Sequence, residues 1–196
     1  MSVEFARRVA DARYSELLKR VTTDPQRAVP ELENLISQGY RDCFALAGFA
    51  HEKLGNHSEA LALYERGFEE RGQVSGAMGA ARILYLGLSG EKNHARAYWH
   101  YSELAEATGR GDALMMMGLM KANGLGVEKD EAEGEWLLRL AEAQGVVLAT
   151  TYLARLDWHR GRYARSVARR FRAVVRALRL YRKDRRDPRL ASVPPV

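Results

Sequence analysis

Apolar residues recur at helical spacing along most of the chain, and short clusters of glycine, proline and polar residues interrupt them. Helix-forming residues continue from Ala113 to Asn123. Gly124, Gly126 and Asp130 then provide turn and N-cap signals, and a second apolar run follows. That run ends at Gly145, where a helix C-terminal glycine is expected. The pattern predicts a unit of helix, glycine turn and helix.

The unit recurs at a fixed interval. Ala113 lies 36 residues after Ala77 and 36 before Ala149, and the run LAEAQG from Leu140 matches LAEATG from Leu104. Two helices of about 12 to 15 residues bury little apolar surface alone, so such units are stable only when they stack on neighbours. The period predicts a solenoid of helix pairs.

At these residues the chain resembles the Sel-one-like repeat family, a branch of the tetratricopeptide-type α-solenoids. The unit departs from the family pattern at Lys121, Glu133 and Gly134. An earlier unit that begins at Phe44 is closer to an ordinary tetratricopeptide repeat. The resemblance implies an all-α, right-handed solenoid whose first helices line a concave, protein-binding face. The residues that match the family pattern are Ala113, Gly118, Gly124, Gly126, Val127, Asp130, Ala141, Gln144 and Gly145.

Ten helices in about five antiparallel pairs are expected. We predict an N-terminal capping pair over 1–40, repeats over 41–160, a basic amphipathic helix over 161–183 and a flexible tail over 184–196. The predicted helices are Ser2–Lys19, Pro25–Ser37, Arg41–Leu54, His57–Glu70, Ser75–Leu88, Lys92–Thr108, Gly111–Asn123, Asp130–Gln144, Val147–Arg160 and Tyr163–Arg182.

Composition agrees with a soluble helical protein. The 196 residues are 46% hydrophobic and 29% charged, and Cys43 is the single cysteine. A lone cysteine excludes an internal disulfide, which fits a reducing compartment or a fold that needs no disulfide, and we expect a small buried thiol at this helix start. The N-terminus has no apolar core typical of a signal peptide, and no window approaches the ~18 apolar residues of a membrane span. A cytoplasmic location is expected, with peripheral attachment to the inner face of a membrane as an extension.

Charge is distributed unevenly. Residues 1–159 hold 18 Lys and Arg against 23 Asp and Glu, whereas residues 160–196 hold 13 against 2. The basic segment begins with a helix whose apolar residues and arginines fall on opposite sides. The apolar residues are Val167, Phe171, Val174, Val175, Leu178 and Tyr181, and the arginines are Arg165, Arg169, Arg172, Arg176 and Arg179.

Three interpretations of this helix are open. In the first, its apolar side covers the end of the solenoid core and its arginines face water. In the second, the arginines bind an anionic membrane or an acidic partner. Nucleic-acid binding is the weakest, because no helix-turn-helix, zinc finger or aromatic stacking platform accompanies the charge. The first two are compatible with each other.

Enzyme chemistry has little support. The histidines His51 and His57, like His94 and His100, are six residues apart, unlike the i, i+4 pairs that share a metal on one helix. The GLG sequence that begins at Gly124 lacks the preceding strand and the following Lys-Ser or Lys-Thr of a phosphate loop. We therefore predict no catalytic, cofactor-binding or metal-binding residues.

A methionine cluster suggests how a partner is bound. Met115, Met116, Leu119 and Met120 occupy positions that the repeat pattern leaves variable. Methionine is common on adaptable binding surfaces, so the sequence predicts an apolar patch on the concave face. The alternative is that these residues pack against neighbouring helices. With the patch as its site, the predicted function is a non-enzymatic adaptor or scaffold that binds a protein or peptide. The candidate contacts are Ile83, Met115, Met116, Leu119, Met120 and Tyr152.

Overall fold

The computed structural model describes residues 14–40, 43–71, 76–184 and 187–190, which contain helices and turns but no strand. The predicted all-α fold is confirmed, and most helix bounds agree with the prediction within two or three residues. The helices are α1 (14–23), α2 (Pro25–Ser37), α3 (Phe44–Lys53), α4 (His57–Arg71), α5 (Ala77–Leu86), α6 (His94–Thr108), α7 (Gly111–Asn123), α8 (Glu131–Ala143), α9 (Val147–His159) and α10 (Tyr163–Lys183), and a short 3₁₀ helix covers Pro188–Leu190.

Two aspartates cap helices as the sequence predicts. The Asp24 carboxylate accepts a hydrogen bond of 3.3 Å from the backbone N–H of Arg27, and Pro25 follows at the first helical position. The Asp130 carboxylate accepts bonds of 2.9 Å from the backbone N–H groups of Ala132 and Glu133. Each cap satisfies N–H groups that have no partner inside the helix.

The predicted end of α1 at Lys19 is wrong, because the helix continues to residue 23. No helix breaker lies before Asp24, and the hydroxyls of Thr22 and Thr23 both donate to the backbone carbonyl of Lys19. These bonds let two threonines remain in the last turn. The first part of that predicted helix, 2–13, lies outside the described residues.

The chain forms two compact units, one up to Asn93 and the other from His94 onward. In the first unit, α2, α3, α4 and α5 pack in sequence. Its larger apolar cluster includes Cys43, which is 8% exposed, so the expected buried thiol is confirmed. The domain boundaries at 40, 160 and 183 stay a prediction. The other buried members of the cluster are Leu17, Val21, Ala28, Leu32, Leu35, Leu46, Ala47 and Ala50.

In the second unit each helix from α6 to α10 packs against the next one. The repeat is visible at the helix crossings, where the crossing residues of the first helices, Gly118 and Ala154, are 36 residues apart and those of the second helices, Gly134 and Ser166, are 32 apart. Where α7 crosses α8, a Cβ on Gly134 would lie 2.7 Å from the carbonyl oxygen of Gly118. One repeat later, the Ser166 hydroxyl of α10 donates a 2.7 Å hydrogen bond to the carbonyl oxygen of Ala154 in α9. The solenoid packing that the period predicts is therefore present.

The last helix is oriented differently from the first interpretation of its pattern. The side of α10 that packs inward carries Ser166, Arg169 and Ala173, whereas Phe171 is 70% exposed and Val167 is 59% exposed. The expectation that the apolar side covers the core is wrong. The inward side carries Arg169 because this side chain pairs with Asp157 of α9, which is buried, and with Glu142 of α8, which is half-buried. No helix within the described ranges has the length and apolar character needed to cross a membrane.

Candidate partner-binding groove

A groove of about 570 Å³ lies along the C-terminal halves of α7 and α9, with α8 beside them. Its volume is in the range of sites that hold a peptide side chain or a small ligand. The apolar part of its wall consists of Leu119, Ala122, Leu138, Tyr152 and Leu156, and the polar part consists of Asn123, Lys129, Glu131, Arg155 and His159.

The two helices shape the groove through their caps and turns. The αL residue Gly124 ends α7 beside the groove. The Asn123 side chain turns back to donate 2.7 Å to the carbonyl oxygen of Leu119, so it satisfies a terminal carbonyl of the helix. On α9, Tyr152 and Leu156 are half-buried and lie one turn apart on the same side. The result is an apolar wall that solvent can reach.

The charges of the groove are cationic on balance. The Lys129 ammonium lies 2.7 Å from the Glu131 carboxylate, and this hydrogen bond lowers the pKa of Glu131 below its ordinary value. These two charges offset each other. Arg155 is exposed and makes no ion pair within the described part of the chain. A ligand carboxylate beside an apolar group would therefore meet an available cation next to an apolar wall.

The structure brings together two of the six predicted contact residues. Leu119 and Tyr152 both line the groove. The three methionines, Met115, Met116 and Met120, are at most 2% exposed and behave as core residues of α7. The expectation of an open methionine patch therefore does not hold, because α6 and α8 both pack on α7. Their burial favours the packing alternative.

Ile83 belongs to a different cluster. It is fully buried in the first unit with Ala60, Tyr64 and Ala80. The Tyr64 hydroxyl of that cluster donates 3.2 Å to Glu52, and burial is the main cause that raises its pKa. Ile83 therefore serves as a packing residue, and we do not include it in the groove.

Several groove residues were missed, although the repeat period carried the signal for them. Adding 36 to Leu119, Met120 and Asn123 gives Arg155, Leu156 and His159. Equivalent positions of successive first helices lie side by side in a stacked repeat array. Two of these pairs line the groove with both members, whereas Met120 is buried and only its counterpart Leu156 reaches the groove. Projecting the predicted contacts Leu119 and Met120 by one period would have identified Arg155 and Leu156, whereas His159 follows only from Asn123, which the prediction also missed.

The five predicted arginines of α10 have different environments. Arg165, Arg172 and Arg179 are exposed. Arg169 is 8% exposed and lies 3.1 Å from the Asp157 carboxylate and 3.6 Å from that of Glu142. Arg176 donates 3.1 Å to the backbone carbonyl oxygen of Glu142. Two of the five thus hold α10 in place, and three face solvent.

Metal chemistry receives no support from the geometry. Within the described ranges, no group of three His, Cys, Asp or Glu side chains is placed to hold a metal ion. His51 lies 3.4 Å from Glu33, and His100 packs edge-on against Trp99. Both histidines are almost fully buried, so they act as polar members of the core.

Comparisons with known proteins bear on the fold. The chain matches no protein-family model and no curated protein. It is similar to the crystal structure of a Sel1 repeat protein from Oxalobacter formigenes, with a TM-score of 0.58 and 22% identity over 72% of this chain and 64% of that one. It is also similar to c5321, a protective antigen of uropathogenic Escherichia coli strains with an SLR fold, with a TM-score of 0.53 and 18% identity over 82% of this chain and 42% of that one.

These likenesses establish the fold. The chain spans less than two thirds of the length of either solved structure. Its all-α architecture, the packing of consecutive helices and both structural neighbours agree on the Sel1-like repeat fold that the sequence predicts. At 22% and 18% identity, the likeness carries no partner and no activity to this chain.

Proposed function

We propose that the protein is a non-enzymatic adaptor that binds a peptide segment of a partner protein in the groove between α7, α8 and α9. The observation that carries the proposal is the combination, at one site, of an accessible apolar wall with Arg155, a cation that makes no ion pair with a described residue. Helical repeat arrays present extended surfaces of this kind for recognition. The segment that fits is an apolar side chain beside a carboxylate.

The chemistry of the groove favours a peptide over a reactive substrate. Tyr152 and Leu156 offer apolar contact area, and Asn123 and His159 offer hydrogen-bonding groups at the rim. An apolar anchor supplies binding free energy, and a charge-assisted hydrogen bond to Arg155 fixes the orientation of the ligand. All the residues that line the groove belong to the second unit.

The proposal is tested by selecting peptides from a random display library on the full chain and measuring their affinity by calorimetry. We expect selected peptides to combine an apolar residue with a neighbouring Asp or Glu. The double variant Y152A/R155A should weaken binding by roughly tenfold to a hundredfold, because an apolar contact and a charge-assisted bond are both lost. Trp136→Ala is the matched control, since Trp136 is 57% exposed on α8 outside the groove.

A charge reversal sharpens the test. Arg155→Glu should shift the selected peptides from acidic to basic residues while the apolar preference remains, because only the sign of the rim charge changes. Circular dichroism would check that the variant stays helical. Peptides that bind Y152A/R155A as tightly as the original chain, or a library that yields no binder to a folded protein, would contradict the groove as the recognition site.

A further inference from the structure

The last helix exposes an apolar surface that the described chain covers only in part. We call it the apolar stripe and define it by six residues of α10. Each of them is between 50% and 70% exposed, which is unusual for large apolar side chains that share one side of a helix. The stripe consists of Tyr163, Val167, Phe171, Val174, Leu178 and Tyr181.

The opposite orientation of α10 is prevented by polar contacts. Ser166 is fully buried with its hydroxyl bonded to Ala154, and Arg169 is buried between Asp157 and Glu142. Turning the stripe inward would carry these polar groups into solvent and leave Asp157, which is 4% exposed, without the charge of Arg169. At 100° per residue the stripe is centred about 120° around the helix from the buried side. The exposure of the stripe is thus fixed by the packing.

A further repeat would not cover the stripe. The crossing of Gly118 with Gly134 recurs as that of Ala154 with Ser166, so positions on α10 correspond to positions 32 residues earlier on α8. The buried residues of α8 are Gly134, Leu137, Leu138 and Ala141, and their counterparts Ser166, Arg169, Arg170 and Ala173 lie outside the stripe. Tyr163, Val167, Phe171 and Val174 correspond instead to the charged residues Glu131, Glu135, Arg139 and Glu142.

The charges near the stripe indicate which kind of surface binds it. The helix contains eight Arg and Lys residues and no Asp or Glu. Arg170 and Arg182 border the stripe on its two sides, with Arg170 5.5 Å from the ring of Trp158, and Arg165, Arg172 and Arg179 form an exposed row about 150° around the helix from the stripe centre. Two copies that joined along their stripes would bring two such helices together without an acidic residue between them, which is unfavourable. An anionic surface that extends past the stripe on both sides would be complementary to these positive charges.

We propose that α10 is a membrane-surface helix, which lies in the plane of an anionic lipid bilayer with the apolar stripe at the boundary of headgroups and acyl chains. A wide apolar sector bordered by arginine is typical of interfacial helices. The helix is about 31 Å long, long enough to lie along the surface. Tyr163 and Tyr181 stand at its two ends and Trp158 packs edge-on against Tyr163 at 4.8 Å, the aromatic side chains that interfaces favour.

The proposed membrane site on α10 does not depend on the proposed function of the groove. It gives the five predicted arginines two different roles. Arg165, Arg172 and Arg179 remain available to lipid phosphates, whereas Arg169 and Arg176 are engaged with α8 and α9. The apolar stripe supplies the insertion and the arginine row supplies the selectivity for anionic lipid. Neither part is expected to bind strongly alone.

The test uses the full chain and flotation with vesicles of phosphatidylserine and phosphatidylcholine, compared with vesicles of phosphatidylcholine alone. We expect binding to the anionic vesicles, roughly tenfold weaker binding to the neutral ones, and weakening as salt rises from about 0.05 to 0.5 M. The double variant F171Q/L178Q should lower binding roughly tenfold or more, because the apolar insertion is lost. Trp136→Gln removes an exposed aromatic side chain elsewhere on the same unit and should leave binding unchanged.

A second pair of variants tests the charge. R172Q/R179Q should weaken binding at low salt and flatten its salt dependence, because two exposed cations of the basic helix are removed. Arg27→Gln is the matched control, since the Arg27 side chain is 86% exposed in the first unit. A loss of binding free energy in R172Q/R179Q that is no more than twice that in Arg27→Gln would show that net charge, and not the arginine row, attracts the vesicles, and would overturn the proposal.

Fluorescence gives a readout that does not depend on changing the stripe. In a W99F/W136F variant, Trp158 is the remaining tryptophan, and its emission should shift to shorter wavelength when anionic vesicles are added. A folded protein that does not bind the vesicles, or that binds without this shift, overturns the proposal. A dimer in sedimentation that F171Q/L178Q converts to a monomer would assign the stripe to a second copy and would overturn it equally.

Discussion

Gly126 lies in the turn between α7 and α8, where the backbone has a φ of +69°. A Cβ at this position would lie 2.2 Å from the carbonyl carbon of His94 and 2.3 Å from the backbone nitrogen of Ala95. Any side chain would therefore meet the first residues of α6, and the backbone cannot give way as a flexible side chain could. The glycine that the sequence identifies as a turn signal is also a packing contact.

A comparison of Gly126→Ala with Gly161→Ala should separate the cost of the left-handed backbone from the cost of the contact with α6. Gly161 has a φ of +71° and no atom within 4 Å of a Cβ built there. We expect Gly161→Ala to lower the free energy of unfolding by about 1 kcal/mol, from the left-handed conformation alone. Gly126→Ala should cost about 2 kcal/mol more, because α6 must move. Urea unfolding measures both, and equal losses would show that the turn does not press on α6.

Glu135 provides a prediction for pH dependence. Its carboxylate pairs with Arg139 at 2.6 Å and with Arg160 at the end of α9, and the hydrogen bond from Arg139 is the largest cause that lowers its pKa below 4.5. A carboxyl whose pKa is lowered by folding stabilises the protein above the unfolded pKa and loses this effect as pH falls through the folded pKa. The contribution is therefore present at neutral pH and absent in acid.

We expect Glu135→Gln to lower the free energy of unfolding by about 1 kcal/mol at pH 7. The difference from the original chain should shrink below a pH of about 4.5 and vanish in stronger acid. Urea unfolding over a pH series measures this. Glu69→Gln, at an exposed position near the end of α4, should show no such dependence. A Glu135→Gln deficit that persisted unchanged at low pH would locate its origin in packing.

Among the elements, α10 shows what the sequence can and cannot predict. Its helical bounds, its amphipathic character and the basic side are all readable from the spacing of residues. Which side packs inward is not readable, because it depends on Asp157 and Glu142, acidic residues of two other helices. A pattern in one helix identifies faces, and only the partners decide which face is buried.

The methionines of α7 are a contrasting case, in which the sequence did indicate that the residues are buried. Gly, Ala, Leu and Met occupy almost every side of this helix, and a helix that is apolar all round is buried. That signal was present in the sequence and favoured packing over an open patch. The groove, by contrast, requires α9 to be placed beside α7, and only the 36-residue period pointed to it.

The anchoring of α10 can be tested at Arg169. Arg169→Met should lower the free energy of unfolding by about 2 to 4 kcal/mol, because Asp157 stays buried with only the 3.4 Å ion pair to Arg162. Arg165→Met, one turn earlier on the exposed side, should change it by less than about 0.5 kcal/mol. Thermal and urea unfolding measure both variants.

A double-mutant cycle distinguishes the ion pair from simple packing. Asp157→Leu combined with Arg169→Met removes both charges, so much of the stability lost in Arg169→Met should return. Single and double variants with additive losses would mean that the two side chains are not coupled. In that case the orientation of α10 would rest on Ser166 and the small residues around it.

For the whole molecule, the formal net charge of plus six conceals two parts of opposite sign. The acidic excess lies in residues 1–159 and the basic excess in residues 160–196. Charge of this kind concerns association more than fold. Because of this uneven distribution, an anionic surface would attract the basic segment, which includes α10.

The groove and α10 lie on opposite sides of α9. Tyr152, Arg155, Leu156 and His159 line the groove, whereas Ala154 and Asp157, which contact α10, lie roughly 180° around the helix from them. A ligand in the groove and a lipid surface on the stripe would therefore not compete for the same side chains. Both surfaces belong to the unit from His94 onward.

We therefore expect the two binding events to be independent. Y152A/R155A should lose peptide binding and keep its affinity for anionic vesicles, and F171Q/L178Q should show the reverse. The peptide affinity measured with and without vesicles should agree within about twofold, and reciprocity requires the same for vesicle affinity with and without peptide. If vesicles changed peptide affinity by tenfold or more in a folded chain, α9 would be transmitting a conformational change between its two sides. The Arg169 anchor would then be the first place to look for it, since it is the buried contact that joins α10 to α8 and α9.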